Sequence, residues 1–90
     1  MQYDEALKEI VRIMSKYTDR RRTVTRVEPT MRIMDDLGVY SLNFVEMILE
    51  CEEQFHISIS DDELGRIGTI GDCVDAVVAA QANAAARTAH

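Results

Sequence analysis

Apolar residues recur at three- and four-residue spacing in three stretches of the chain. Tyr3, Leu7, Ile10, Met14 and Tyr17, with Val11 beside them, make one stripe at helical period. They predict a first helix from about Gln2 to Tyr17. Phe44, Met47, Ile48, Cys51 and Phe55 predict a second over Leu42 to Gln54, with Ser41 in the N-cap position. Ile70, Cys73, Val74, Val77 and Val78 line a last helix. Its β-branched valines lower intrinsic propensity but suit a packed face. Ser60-Asp61-Asp62-Glu63 fits a capping box and predicts a short third helix ending near Ile67 or Gly68. Thr69-Ile70-Gly71-Asp72 is a related start for the last helix. The expectation is an all-α fold, a four-helix bundle with a short third helix and a long first loop.

That loop is Thr18 to Met34, where Thr and Val alternate around Arg20, Arg21, Arg22 and Arg26 without sustained period. Pro29 sits in its middle and predicts a single turn there. Such a length in a small domain implies that the loop packs on the core or serves a function, and Val27, Met31 and Ile33 are the candidate anchors. Gly38 ends the loop at a turn that other residues resist. No internal repeat or dividing linker is visible. One domain over residues 1–80 is expected, with the Ala-rich residues 81–90 extending or fraying from the last helix.

Composition then narrows the functions. With 90 residues there is room for one small core and no large enzyme cleft. Residues 1–34 hold eight Lys or Arg against five acids, whereas residues 35–75 hold one Arg against eleven. The net charge of -6 therefore hides an acidic middle. Phosphates would be repelled there, so nucleic acid is excluded as a partner and a basic protein surface is the natural complement. No membrane span and no secretory signal is expected. Cys51 and Cys73 lack metal spacing and fall on apolar stripes, so they read as reduced core residues of a cytoplasmic, monomeric protein.

The second helix carries more apolar surface than a bundle edge needs. At 100° per residue, Leu42, Val45 and Leu49 cluster opposite the core stripe, interleaved with Glu46 and Glu53. Either the third helix or the long loop covers them, or they are offered to a partner. Apolar anchors ringed by carboxylates suit recognition, since burial supplies affinity and charge supplies orientation. Ser41 heads the same face and favours a partner.

Ser41 itself has three readings. As a nucleophile it fails: Gly38-Val39-Tyr40-Ser41-Leu42 is not the Gly-x-Ser-x-Gly elbow, and neither His56 nor His90 has a recognisable triad partner. As a cap it would contribute about 0.5–2 kcal/mol. As an attachment point it could carry a phosphate, which the free amides and dipole of a helix N-terminus favour.

Asp36-Leu37-Gly38-Val39-Tyr40-Ser41-Leu42-Asn43-Phe44-Val45-Glu46 resembles the acyl carrier protein signature D-L-G-x-D-S-L-x-x-V-E. The similarity runs through Glu52-Glu53-Gln54-Phe55, Ile57-Ser58-Ile59 and Asp61 to Thr69-Ile70-Gly71-Asp72. Upstream, Val27, Pro29 and Thr30 look like the family's V-T-P-x-T loop. The resemblance covers roughly Asp4 to Val78. It implies a carrier and not an enzyme, with 4′-phosphopantetheine transferred from coenzyme A onto Ser41. The arm's thiol would hold an acyl, aryl or aminoacyl group as a thioester, in a fatty-acid, polyketide or related pathway. Expected partners are a phosphopantetheinyl transferase, an acyl-loading ligase or transferase, and synthase enzymes with basic docking patches. By position, Leu42, Val45, Glu46, Leu49, Glu52, Glu53 and Ile59 match the docking surface. Asp36, Leu37, Gly38 and Tyr40 match the segment read by the transferase.

Three positions depart from the family pattern. Tyr40 replaces the aspartate that usually precedes the serine, which points to a dedicated transferase. Ser60 replaces a common proline, and its capping box does the same job. Leu64 replaces an alanine beside the acyl cavity and argues against long fatty chains. An unmodified adaptor of the same fold, binding partners through the second helix alone, is the competing expectation.

Overall fold

The computed structural model of the chain describes residues 2–18 and 27–88. Among them are four helices: α1 (Tyr3–Met14), α2 (Ser41–Phe55), α3 (Asp61–Leu64) and α4 (Ile70–Thr88). The basic run Arg20, Arg21, Arg22 and Arg26 lies outside the described residues. No described helix is long and apolar enough to cross a membrane.

One apolar cluster joins all the elements. Ile10, Ile13, Met47, Cys51, Ile70, Cys73, Val74 and Val77 are wholly buried in it, and no described polar or charged side chain is buried. Such a core is stabilised by roughly 25 cal/mol for each Å² of apolar surface removed from water. The predicted core stripe of α2 is buried along its whole length, from Phe44 to Phe55. On α4 the stripe also holds, except that Val78 is half-buried at its margin.

α1 departs from its predicted stripe. Ala6 and Ile13 are fully buried, while Tyr3 remains 38% exposed at the edge. The predicted stripe is a narrow one of mostly large side chains, and the buried face is broader, taking in Ala6 and Ile13 as well. The helix also stops at Met14 instead of Tyr17. Beyond it the amides of Lys16 and Tyr17 bond three residues back, at 3.1 and 2.9 Å. The Thr18 hydroxyl then donates to the Met14 carbonyl at 2.9 Å and satisfies the helix end.

α3 is one turn. Ser60 caps it as predicted, with the Glu63 amide donating to Ser60 Oγ at 3.2 Å, the serine half of a capping box. It ends at Leu64, earlier than the expected Ile67 or Gly68, and looser turns carry the chain to Ile67. The start of α4 is capped reciprocally: Asp72 N–H donates to Thr69 Oγ1 at 3.0 Å, and Asp72 Oδ2 accepts from Thr69 N–H at 3.0 Å. The Thr69 amide, and then the Gly68 amide at 3.0 Å, hold the Asp72 carboxyl below its ordinary pKa. α4 continues as helix to Thr88.

Of the proposed loop anchors, Ile33 is buried, Met31 is half-buried and Val27 is 39% exposed. Anchoring relies more on backbone than on side chains. Arg32 pairs with Thr69 in an isolated antiparallel bridge. Gly71 N–H donates to Pro29 O at 2.8 Å, Ile70 N–H to Met31 O at 3.0 Å, and Ile33 N–H to Gly68 O at 3.0 Å. Two of these donors are first-turn amides of α4, which no partner within their own helix can satisfy. The loop completes α4, and α4 fixes the loop.

Candidate functional site

The segment ahead of α2 is a folded turn. Asp36 N–H and Leu37 N–H both donate to Arg32 O, at 3.0 and 3.3 Å, and Gly38 N–H donates to Met34 O at 3.0 Å. Gly38 sits at φ 71°, the left-handed region that a side chain resists. Val39 N–H then returns to Ile33 O at 3.2 Å. Leu37 and Val39 are thereby buried and tie the start of α2 to the core.

Tyr40, and not Ser41, occupies the N-cap, with extended backbone and no capping bond from its side chain. Ser41 is the first helical residue, so the reading of Ser41 as a simple cap is corrected. A one-residue shift of this kind cannot be read from composition, because Ser favours both positions. The first turn of α2 carries no acid. Asn43 and Phe44 N–H both donate to Tyr40 O, at 3.0 and 3.4 Å. A phosphodiester at this end would meet the positive pole of the helix without a carboxylate opposing it in that turn, so the residues present fit an anionic attached group.

The second apolar stripe is uncovered. Leu42 is 68% exposed, Val45 42% and Leu49 57%. Neither α3 nor the described part of the first loop lies over them. Tyr40 at 48% and Met34 at 41% continue the exposed apolar surface past the start of the helix. Glu46 and Glu53 are exposed beside it.

Other predicted site residues have structural work. Glu52 is half-buried, and its Oε2 accepts the Ile59 amide at 2.8 Å, clamping the α2–α3 loop. Ile59 is half-buried against the core. Leu37 and Gly38 are buried, and Asp36 Oδ2 accepts the Arg32 amide at 2.7 Å. Of the four residues matched to transferase recognition, Tyr40 alone projects a large exposed side chain. Leu64 is half-buried against the core.

Two features escaped the sequence reading. Glu50, absent from both α2 stripes, accepts from Lys16 Nζ at 2.6 Å and from Tyr17 Oη at 2.7 Å, and so ties α1 to α2. His56 ends α2 in the left-handed region at φ 56°, with its N–H on Glu52 O. Glycine is the usual signal for that geometry, and its absence hid the cap. Beyond it lies an open cleft of about 780 Å³ between Ile57, Ile59 and Ala80, rimmed by Glu52 and His56.

Comparison with known proteins decides the family. The model of the phosphopantetheine attachment site family matches residues 8–77. The chain belongs to the acyl carrier protein family. An acyl carrier protein of Acidothermus cellulolyticus is 41% identical over 58 residues, covering 64% of this chain and 69% of the relative. The acyl carrier protein of Enterococcus faecalis superposes with a TM-score of 0.72 at 31% identity, over 89% of this chain and 99% of that one. A hexanoyl carrier from the actinorhodin polyketide synthase of Streptomyces coelicolor reaches 0.75 at 24% identity, over 86% and 91%, a likeness of fold. This carrier protein has the family's all-α bundle, and its cofactor is covalently attached 4′-phosphopantetheine. The family's members are carriers and not catalysts, and they work by meeting synthases and modifying enzymes.

Proposed function

We propose that Ser41 is the attachment residue and that the chain presents a thioester-bound acyl, aryl or aminoacyl intermediate to successive biosynthetic enzymes. The observation that carries this reading is the exposed stripe Leu42, Val45 and Leu49 running from Ser41 down α2 between Glu46 and Glu53. In the attachment step the Ser41 hydroxyl oxygen bonds to the pantetheine phosphorus of coenzyme A. The hydroxyl proton leaves, and the phosphoanhydride bond to the nucleotide breaks. When bound, the group supplies a terminal thiol on a flexible arm, which raises the local concentration of the carried group at each enzyme. The chain's own residues do the rest. The helix N-terminus accommodates the phosphate, the three apolar side chains supply area to a docking enzyme, and the two glutamates orient it.

The carrier unit spans residues 1–80, and the Ala-rich stretch that follows extends α4 as far as Thr88. The protein itself does no chemistry on its cargo. It works as a monomer in the cytoplasm, where Cys51 and Cys73, both buried and free, stay reduced. Its partners are a phosphopantetheinyl transferase, a loading enzyme and synthases of fatty-acid, polyketide or related pathways with basic docking patches. Tyr40 favours a transferase shaped for an aromatic side chain. Intact mass after incubation with coenzyme A and a broad-specificity transferase tests the assignment. One phosphopantetheine should be added to the wild type and none to Ser41→Ala. Modification that survives Ser41→Ala would place the attachment on another residue, whereas no modification in the assay and none on protein from the native host would leave the unmodified adaptor as the better account.

A further inference from the structure

Asp36 is bonded to Arg32 twice. Its N–H donates to Arg32 O at 3.0 Å, and its Oδ2 accepts the Arg32 N–H at 2.7 Å. Arg32 is also the residue that pairs with Thr69. The bridge to α4, however, uses the carbonyl of Met31 and the amide of Ile33. The Arg32 amide therefore faces away from α4, and the Asp36 carboxylate supplies its acceptor. The chain leaves this double link directly into buried Leu37, left-handed Gly38 and buried Val39. Two residues after Val39 stands Ser41. The sequence thus brings a carboxylate to the one place where it can close the turn that delivers the start of α2.

We infer that Asp36 is a positioning residue for Ser41, acting as the hydrogen-bond acceptor that holds the Arg32–Gly38 turn and not as a charge read by the modifying enzyme. This rests on Ser41 being the attachment residue. Asp36 is exposed, so the two roles are told apart by what its oxygen does, since a charge read by an enzyme acts only when the enzyme is present. An acceptor that closes a turn works without any enzyme, and an amide oxygen in the same place replaces it. If the turn opens, the Gly38 and Val39 amides lose their hold on Met34 O and Ile33 O, and the chain into Ser41 is no longer fixed. A smaller fraction of molecules then holds Ser41 ready for attack, and kcat/KM for its modification falls in proportion.

The conservative pair Asp36→Asn and Asp36→Ala separates the two roles. Phosphopantetheinylation by one transferase is followed by intact mass, alongside amide hydrogen exchange over residues 32–42. Asp36→Ala should lower kcat/KM about tenfold and speed exchange at Leu37, Gly38 and Val39 by a similar factor, the scale of one lost charge-assisted hydrogen bond. Asp36→Asn keeps an acceptor and should stay within about twofold of wild type on both readouts. An Asp36→Asn protein as slow as Asp36→Ala, with wild-type exchange, would show that the charge is read and overturn the inference. So would wild-type behaviour of Asp36→Ala on both readouts. If the wild type itself takes no phosphopantetheine, the assignment of Ser41 fails, and the exchange measurement still decides whether Asp36 holds the turn.

Discussion

The two faces of α2 are built from similar side chains and have opposite fates. Phe44, Met47, Ile48, Cys51 and Phe55 are all at most 6% exposed, whereas Leu42, Val45 and Leu49 range from 42% to 68%. The inner face meets α1 and α4 and closes the core. The outer face meets solvent, in a domain small enough that every buried side chain counts toward stability. Its acids divide the same way. Glu50 and Glu52 bond inward, to Lys16 and Tyr17 and to the Ile59 amide, while Glu46 and Glu53 stand exposed. Apolar character therefore has two uses on one helix, and negative charge has two as well.

Truncation on the inner face should give the largest effect. Met47 is fully buried at the centre of the cluster, and Met47→Ala leaves a cavity that the surrounding helices fill only in part. The expected loss is about 2–5 kcal/mol, measured by urea unfolding. In a domain whose total stability is of that order, much of the variant should be unfolded at 37 °C by circular dichroism. A loss below about 1 kcal/mol, the level of a surface change, would mean that the inner face is not the core.

The asymmetry between the faces was legible in part. Period alone places two stripes on α2 and cannot say which is covered, because coverage depends on where α3 and the loop fall. α3 ends at Leu64 and the loop is spent on the Arg32–Thr69 bridge, so neither reaches Leu42. Capping chemistry was legible wherever it uses side chains of the expected type, as at Ser60 and at Thr69 with Asp72. It was hidden where geometry departs from habit, as at His56, or where a carboxylate such as Glu50 pairs across 33 or 34 residues of sequence. The motif residues Asp36, Leu37 and Gly38 were found, and so was the turn at Gly38, but the bonds that Asp36 makes in it and the burial of Leu37 were not. A motif states which residues occur together, and the turn's hydrogen bonds state why.

Substitution on the outer face should leave folding alone and change encounters. Leu42→Ala and Leu49→Ala remove side chains that are mostly exposed, so stability should move by no more than about 0.5 kcal/mol. Their effect belongs to partner kinetics, where each should raise KM several-fold for a docking synthase. Reversing Glu46 and Glu53 to Lys should slow association most at low salt and progressively less as screening rises. Unchanged partner kinetics in all four variants would sever the outer face from docking while leaving the fold untouched.

The inward acids should give the smallest effect, and pH resolves it. The Lys16 ammonium, and then the Tyr17 hydroxyl, hold the Glu50 carboxyl below its ordinary value. Tyr17 is pushed up to about 12, chiefly by its hydrogen bond to Glu50 and then by burial. The signs are opposite. Glu50 contributes stability above the ordinary Glu range and loses it as pH falls through its lowered folded value. Tyr17 contributes below its ordinary value of 10.0 and loses that as pH rises through about 12. Glu50→Gln should therefore cost under about 1 kcal/mol at neutral pH, as partly exposed pairs do, and the difference from wild type should vanish in acid. Tyr17→Phe should differ from wild type at neutral pH and converge on it in alkali. A Glu50→Gln deficit that persisted undiminished through the acid limb would mean that its carboxylate does not hold α1 to α2, and would erase the division between inward and outward acids on this helix.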